Sequence, residues 1–315
     1  MKSLAWDRHA NINIFKVIRL HIVAGGFVAF LLGVLLAMLT GSIVNPTCIV
    51  LGYLVVFFGD LSTHYSNDYF DATMNAGGEE HKTFGGSNVL LRHPELGRLS
   101  RFIAVILAIL SNAIAALCVL LYGVPREVLI ITTCANLLGW FYSAPPVRLS
   151  SRGLGEIAIA GGTGLIIPSC GYLVTMGHFD SLLFFLAIPF IMYGFILSLS
   201  LEIPDMETDL RTGKNNLVVR KGRRFAFLII MALSSLATIT FLSYANGIIA
   251  PTVIDLRVVT AFSCVPLFTA LLGFLHRPEK RQNVNHLSSA NIVALFIFII
   301  LTDVYFTTLV LLSQT

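Results

Sequence analysis

The sequence predicts an all-α integral membrane protein of about nine transmembrane helices, and three observations carry that expectation. Of 315 residues, 56% are hydrophobic and only 12% charged, with a mean hydropathy of +0.82. A soluble domain carries about 25% charged residues, so this chain lacks the polar surface to cover a globule in water. Apolar stretches of the ~20 residues needed to cross ~30 Å of hydrocarbon recur along its length. Finally, 19 of the 21 Lys and Arg residues fall in the N-terminal segment and alternate loops, leaving only Arg126 and Arg257 on the other side. Because basic residues mark cytoplasmic loops, this alternation fixes both orientation and helix number: the N-terminus is inside.

In chain order the spans lie at roughly 20–40, 48–66, 102–122, 128–145, 154–177, 182–203, 225–247, 251–275 and 290–312. The first starts too late and runs too long for a signal peptide, no small-residue cleavage site follows it, and it reads as retained. The separations leave no room for a soluble domain. Residues 1–315 therefore read as one multi-spanning domain, with 1–19 a cytoplasmic segment and 67–101 and 204–224 cytoplasmic loops carrying the motifs described next. The acid-bearing ends of the second and sixth spans are four helices apart, which fits two four-helix units plus a ninth helix. The dispersed basic residues exclude a nucleic-acid surface. Cys48, Cys118, Cys134, Cys170 and Cys264 lie in apolar segments without paired spacing, so they read as small core residues and not as disulfides or a zinc site.

Ionisable side chains are costly in a bilayer, so where they occur is informative. At the end of the second span, Asp60, His64, Asn67, Asp71 and Asn75 follow at steps of three or four and share one helical face. Asp60 and His64 read equally as a buried hydrogen-bonding pair or as site residues. The sixth span ends Glu202-Ile-Pro-Asp205-Met-Glu-Thr-Asp209, again with an i, i+4 carboxylate pair at the cytoplasmic rim. Like charges there repel, and their repetition on two helices points to a bound cation. Oxygen-only ligands favour a hard ion such as Mg²⁺, which bridges carboxylates to phosphates. An EF-hand is excluded because its alternating acids and closing Glu are missing, and Gly213-Lys214 lacks the rest of a P-loop.

Basic residues beside the acids make a diphosphate the natural partner, and Lys82 and Lys214 lie nearest the acidic clusters. Glycines at 77, 78, 85 and 86 would let the loop 76–90 fold over a ligand. A third inside loop, Tyr142-Ser-Ala-Pro-Pro-Val-Arg148, ends the fourth helix at its double proline and holds Tyr142 and Arg148 at the same rim. Tyr142 reads equally as a site residue or an interface anchor.

These motifs resemble the UbiA superfamily of intramembrane prenyltransferases. Asn67, Asp68 and Asp71 match its Asn-Asp-x-x-Asp-x-x-x-Asp pattern, with Asn75 in place of the last carboxylate, and Asp205 and Asp209 match its Asp-x-x-x-Asp. Within that superfamily, Asn67–Asp71 with its Tyr-Phe, Phe84-Gly-Gly-Ser87, Tyr142–Pro146 leading to Arg152-Gly-Leu-Gly-Glu156, and Glu202-Ile-Pro-Asp205 running to Gly213-Lys214 resemble 1,4-dihydroxy-2-naphthoate polyprenyltransferases of menaquinone synthesis. The likeness covers most of residues 15–225. It implies helices around a central cavity, and two Mg²⁺ ions held by Asp68, Asp71, Asp205 and Asp209. Asn67, Lys82, Arg148 and Lys214 would contact the diphosphate of a polyprenyl donor, and an aromatic acceptor would attack, with Tyr142 or Asp60 as candidate base. Other acceptors in the superfamily, 4-hydroxybenzoate or a glycerol-phosphate lipid, remain alternatives. A cation-coupled transporter would instead place acids beside broken helices at the bilayer midplane, where this chain has no such pairing. The short single chain with basic inside loops suggests a prokaryotic plasma membrane with the site facing the cytoplasm.

Overall fold

The computed structural model describes residues 14–42, 44–74, 86–248, 254–276 and 281–313. Among these there are nine long helices and no strand: α1 (Leu20–Leu39), α2 (Pro46–Met74), α3 (Gly97–Tyr122), α4 (Glu127–Ser143), α5 (Gly155–Met176), α6 (Ser181–Arg211), α7 (Arg223–Ser243), α8 (Leu256–His276) and α9 (Arg281–Ser313). Eight are long and apolar enough to cross a membrane; α4, with 17 residues, falls just short. Three helices outrun their predicted spans by eight or nine residues, α6 continuing to Arg211 beyond the expected 203. α2 continues to Met74, so the first motif is helical, as its three-and-four spacing predicted, although the span boundary at 66 had placed it in a loop. α9 starts at Arg281, nine residues ahead of the expected 290.

The helix breaks follow local chemistry. α3 and α5 end at Gly123 (φ 67°) and Gly177 (φ 83°), left-handed positions that glycine adopts without strain. α4 ends because Ala144, preceding Pro145, is extended (ψ 141°). Inside α6, Pro204 cannot donate an intrahelical bond. The helix there tightens into a 3₁₀ turn over Ile203–Asp205 and resumes at Met206. α5 carries a π-turn at Gly162–Ile166, a feature that often marks a functional wall.

Lipid tails are as apolar as leucine, so these helices gain from close approach more than from hydrophobic burial. Glycine supplies the closeness. A Cβ on Gly33 of α1 would fall 1.9 Å from the Pro168 carbonyl oxygen of α5, and one on Gly171 would fall 2.2 Å from that of Phe30. α5 meets α6 the same way, through Gly164 against Ile191 and Gly194 against Ala160. Large apolar side chains such as Phe102, Ile109, Leu120 and Phe268 point outward, as expected of a surface that meets lipid. Cys48, Cys118 and Cys170 are buried, in line with small core residues, but Cys134 and Cys264 are exposed. Their helices offer lipid as an apolar environment, so an apolar segment did not have to mean a core position.

Candidate active site

Helices α1, α2, α4, α5, α6 and α9 enclose a chamber of about 400 Å³. One end is apolar, lined by residues such as Ala29, Val55, Ile131, Ile167 and Phe298. The other is polar and gathers Arg19, Asp60, His64, Asn67, Tyr142, Glu202, Asp205, Asp209, Lys214 and Asn216. From Asn67 back to Val55 along α2, helical rise gives a depth of about 18 Å.

Asp205 and Asp209 are 2% and 4% exposed and face this chamber. Asp68 and Asp71, at 5% and 7%, line a small recess beside it with Gly86, Asn88 and Leu90. Lys214 connects the two. Its Nζ lies 3.3 Å from Asp71 Oδ2 and 3.8 Å from Asp209 Oδ1, with all three side chains under one-tenth exposed. The turn after α6 delivers it: Gly213 adopts φ 73°, and the Lys214 amide donates to the Asp209 carbonyl at 2.9 Å.

Each carboxylate has further support. The Arg19 guanidinium pairs with Asp68, which also accepts from the Ser87 hydroxyl and from the Ser87 amide at 3.3 Å. Asn67 Oδ1 accepts from the Ser143 hydroxyl at 2.5 Å, tying α2 to the end of α4. Between the motif acids, Tyr69 and Phe70 pack away from the site: Arg101 lies over the Tyr69 ring, and Phe70 meets Trp140 edge-on at 5.5 Å. On α6, Asp209 Oδ2 accepts from Asn216 Nδ2 at 2.8 Å. Asn216 also caps the short helix Leu217–Lys221 by accepting from the Val219 amide, and Glu156 accepts from the Leu217 amide at 2.5 Å.

The structure thus brings Asn67, Asp68, Asp71, Asp205, Asp209 and Lys214 to one end of the bundle. Tyr142 lines the chamber over Gly155, within electrostatic range of Lys214, Asp71, Asp209 and Glu202. Asp60 and His64 form the anticipated pair, 3.5 Å apart, and both also line the chamber. Arg148, in a left-handed backbone conformation (φ 48°), is not among the lining residues. Lys82 and Asn75 lie outside the described residues. Sequence reasoning missed Arg19, Ser87, Asn216 and Glu156 as site residues. Only Asn216 carried a local signal, as an N-cap type residue ahead of an apolar turn.

The donor set suits a hard cation. Its oxygens come from four aspartates and two asparagines, and an ammonium already stands where a cation would bridge the motifs. Among the described residues no three acidic, histidine or cysteine side chains converge into a cage. Mg²⁺ uses one or two protein carboxylates per ion and takes its other ligands from substrate phosphates and water.

The family model of the UbiA prenyltransferase family matches residues 27–300. The chain belongs to this family. As a UbiA prenyltransferase it is a membrane enzyme, and solved structures share its fold. A UbiA homolog from Archaeoglobus fulgidus bound to GPP and Mg²⁺ superposes with a TM-score of 0.62 at 18% identity, covering 91% of this chain and 99% of that one. A digeranylgeranylglyceryl phosphate synthase gives 0.63 at 17% identity, covering 94% and 98%. An apo UbiA homolog from Aeropyrum pernix K1 gives 0.64 at 12%, covering 89% and 96%. A search of curated proteins found no match.

Proposed function

We propose that this UbiA prenyltransferase moves a polyprenyl group from its diphosphate to an aromatic acceptor, 1,4-dihydroxy-2-naphthoate, in menaquinone synthesis, with Mg²⁺ as its metal. The observation that carries the reading is the pairing of two aspartate motifs, from α2 and α6, across Lys214 at the mouth of an apolar chamber. Asp68, Asp71, Asp205 and Asp209 would hold the metal. When bound, Mg²⁺ neutralises charge on the departing pyrophosphate. Lys214 adds a flexible cation beside the phosphate position, and Lys82 and Arg148 are further proposed contacts. Asn67, fixed by Ser143, orients the first motif. The apolar walls would sheathe the prenyl tail and exclude water, so that the allylic cation meets the acceptor ring before a hydroxyl. Tyr142 and Asp60 line the path the acceptor would take.

The choice of acceptor rests on the Tyr-Phe motif, Arg152-Gly-Leu-Gly-Glu156 and Glu202-Ile-Pro-Asp205. The Lys and Arg distribution supports a site toward the cytoplasm, and we place the chain as a single domain in a prokaryotic plasma membrane. The test offers labelled polyprenyl diphosphate with Mg²⁺ and each of three acceptors: 1,4-dihydroxy-2-naphthoate, 4-hydroxybenzoate and a glycerol-phosphate lipid. Product is expected with the first alone, and is lost on adding EDTA. Product with another acceptor would reassign the substrate, and turnover of none would end the proposal.

A further inference from the structure

We propose that Lys214 is a resident counter-ion that keeps divalent metal out of the site until a diphosphate arrives; this rests on the reading that the aspartates hold Mg²⁺. Its ammonium sits between Asp71 and Asp209 at 3.3 and 3.8 Å, and all three side chains are largely shielded from water. Without a cation between them, the two carboxylates would face each other at low dielectric, where repulsion is strong. The lysine therefore holds the motifs of α2 and α6 together in the substrate-free protein.

That placement makes metal binding conditional. A divalent ion taking Asp71 and Asp209 alone must evict the ammonium, leaving a shielded cation without those carboxylates and next to added positive charge. A diphosphate changes the outcome by offering the ammonium a new anion. The backbone of Lys214 is anchored through its amide to the Asp209 carbonyl, while its side chain is a four-carbon stem of rotatable bonds. The head group can thus pass from carboxylate to phosphate while the turn stays in place. Arg19 holds Asp68 in a parallel way through one guanidinium nitrogen, but its planar head group loses less freedom per bond than an ammonium on a flexible stem. Lys214 is the exchangeable one of the two.

The experiment uses the full chain in detergent micelles and equilibrium dialysis of Mn²⁺ with and without inorganic pyrophosphate. The wild type is expected to bind Mn²⁺ weakly alone, and on the order of tenfold more tightly with pyrophosphate. Lys214→Gln should bind Mn²⁺ alone on the order of tenfold more tightly than the wild type, with the pyrophosphate gain reduced. Lys214→Arg, which keeps the charge, should remain as weak as the wild type without pyrophosphate. If Lys214→Gln binds Mn²⁺ alone no better than the wild type, the counter-ion role is overturned. Should that variant not fold, equal Mn²⁺ affinity of the wild type with and without pyrophosphate overturns it as well. Mn²⁺–pyrophosphate binding that survives unchanged in both Asp71→Asn and Asp209→Asn would refute the diphosphate site itself, a separate failure.

Discussion

Asp68 and Asp71 stand one turn apart on an unbroken helix of 29 residues, whereas Asp205 closes a proline-induced 3₁₀ turn and Asp209 lies in the short helix after it. The first motif takes its cations from afar: Arg19 precedes α1, and Lys214 follows α6. The second finds its partners in its own turn, since Lys214 and Asn216 lie within seven residues of Asp209. The first motif is therefore only as well placed as the bundle that delivers its partners. The second carries its scaffold locally. That contrast explains why an anchored, uninterrupted helix serves one motif and a pliable turn serves the other.

The sharpest way to break the contrast is Arg19→Met. It strands Asp68 in a nearly buried position, and loss of one partner of such a pair costs about 3 kcal/mol. A lowered thermal midpoint in detergent is expected, with most of it recovered in Arg19→Met/Asp68→Asn; no recovery would mean that Arg19 stabilises through packing alone. Asn216→Ala removes both the bond to Asp209 and a helix cap, for about 1–2 kcal/mol. Because that damage is local, prenyl-transfer rate should fall more than the melting temperature does. Gly213→Ala is the mildest, at about 1 kcal/mol for a side chain at φ 73°. It should shift Lys214 and weaken pyrophosphate binding, and an unaltered affinity would show that the turn accommodates the change.

The sequence made the helices and both motifs legible because each is a local periodicity: apolar runs of fixed length, and acids repeating at three and four. The helix pairings were not legible. Nothing near Arg19 marks it as the partner of Asp68, 49 residues away, and in the sequence it counts only as one more inside charge. Glu156 counted only as a residue at the start of the fifth span, yet it steadies the start of the helix that follows the second motif. The span boundary at 66 stopped short because polar residues weaken the hydropathy signal, while the three-and-four spacing already carried the helix onward. α2 simply leaves the hydrocarbon and continues to Met74.

The glycine seams have a corollary for substitution. Gly33, Gly164, Gly171 and Gly194 each press against a neighbouring backbone, so no replacement fits without separating two helices. Gly161 and Gly162, on the same helix as two of these, have open space beside them. Tolerance of substitution is thus uneven: the seams admit no side chain, while Gly162, which lines the chamber, can accept one. A side chain has room at Gly162, and none at Gly164 two residues later.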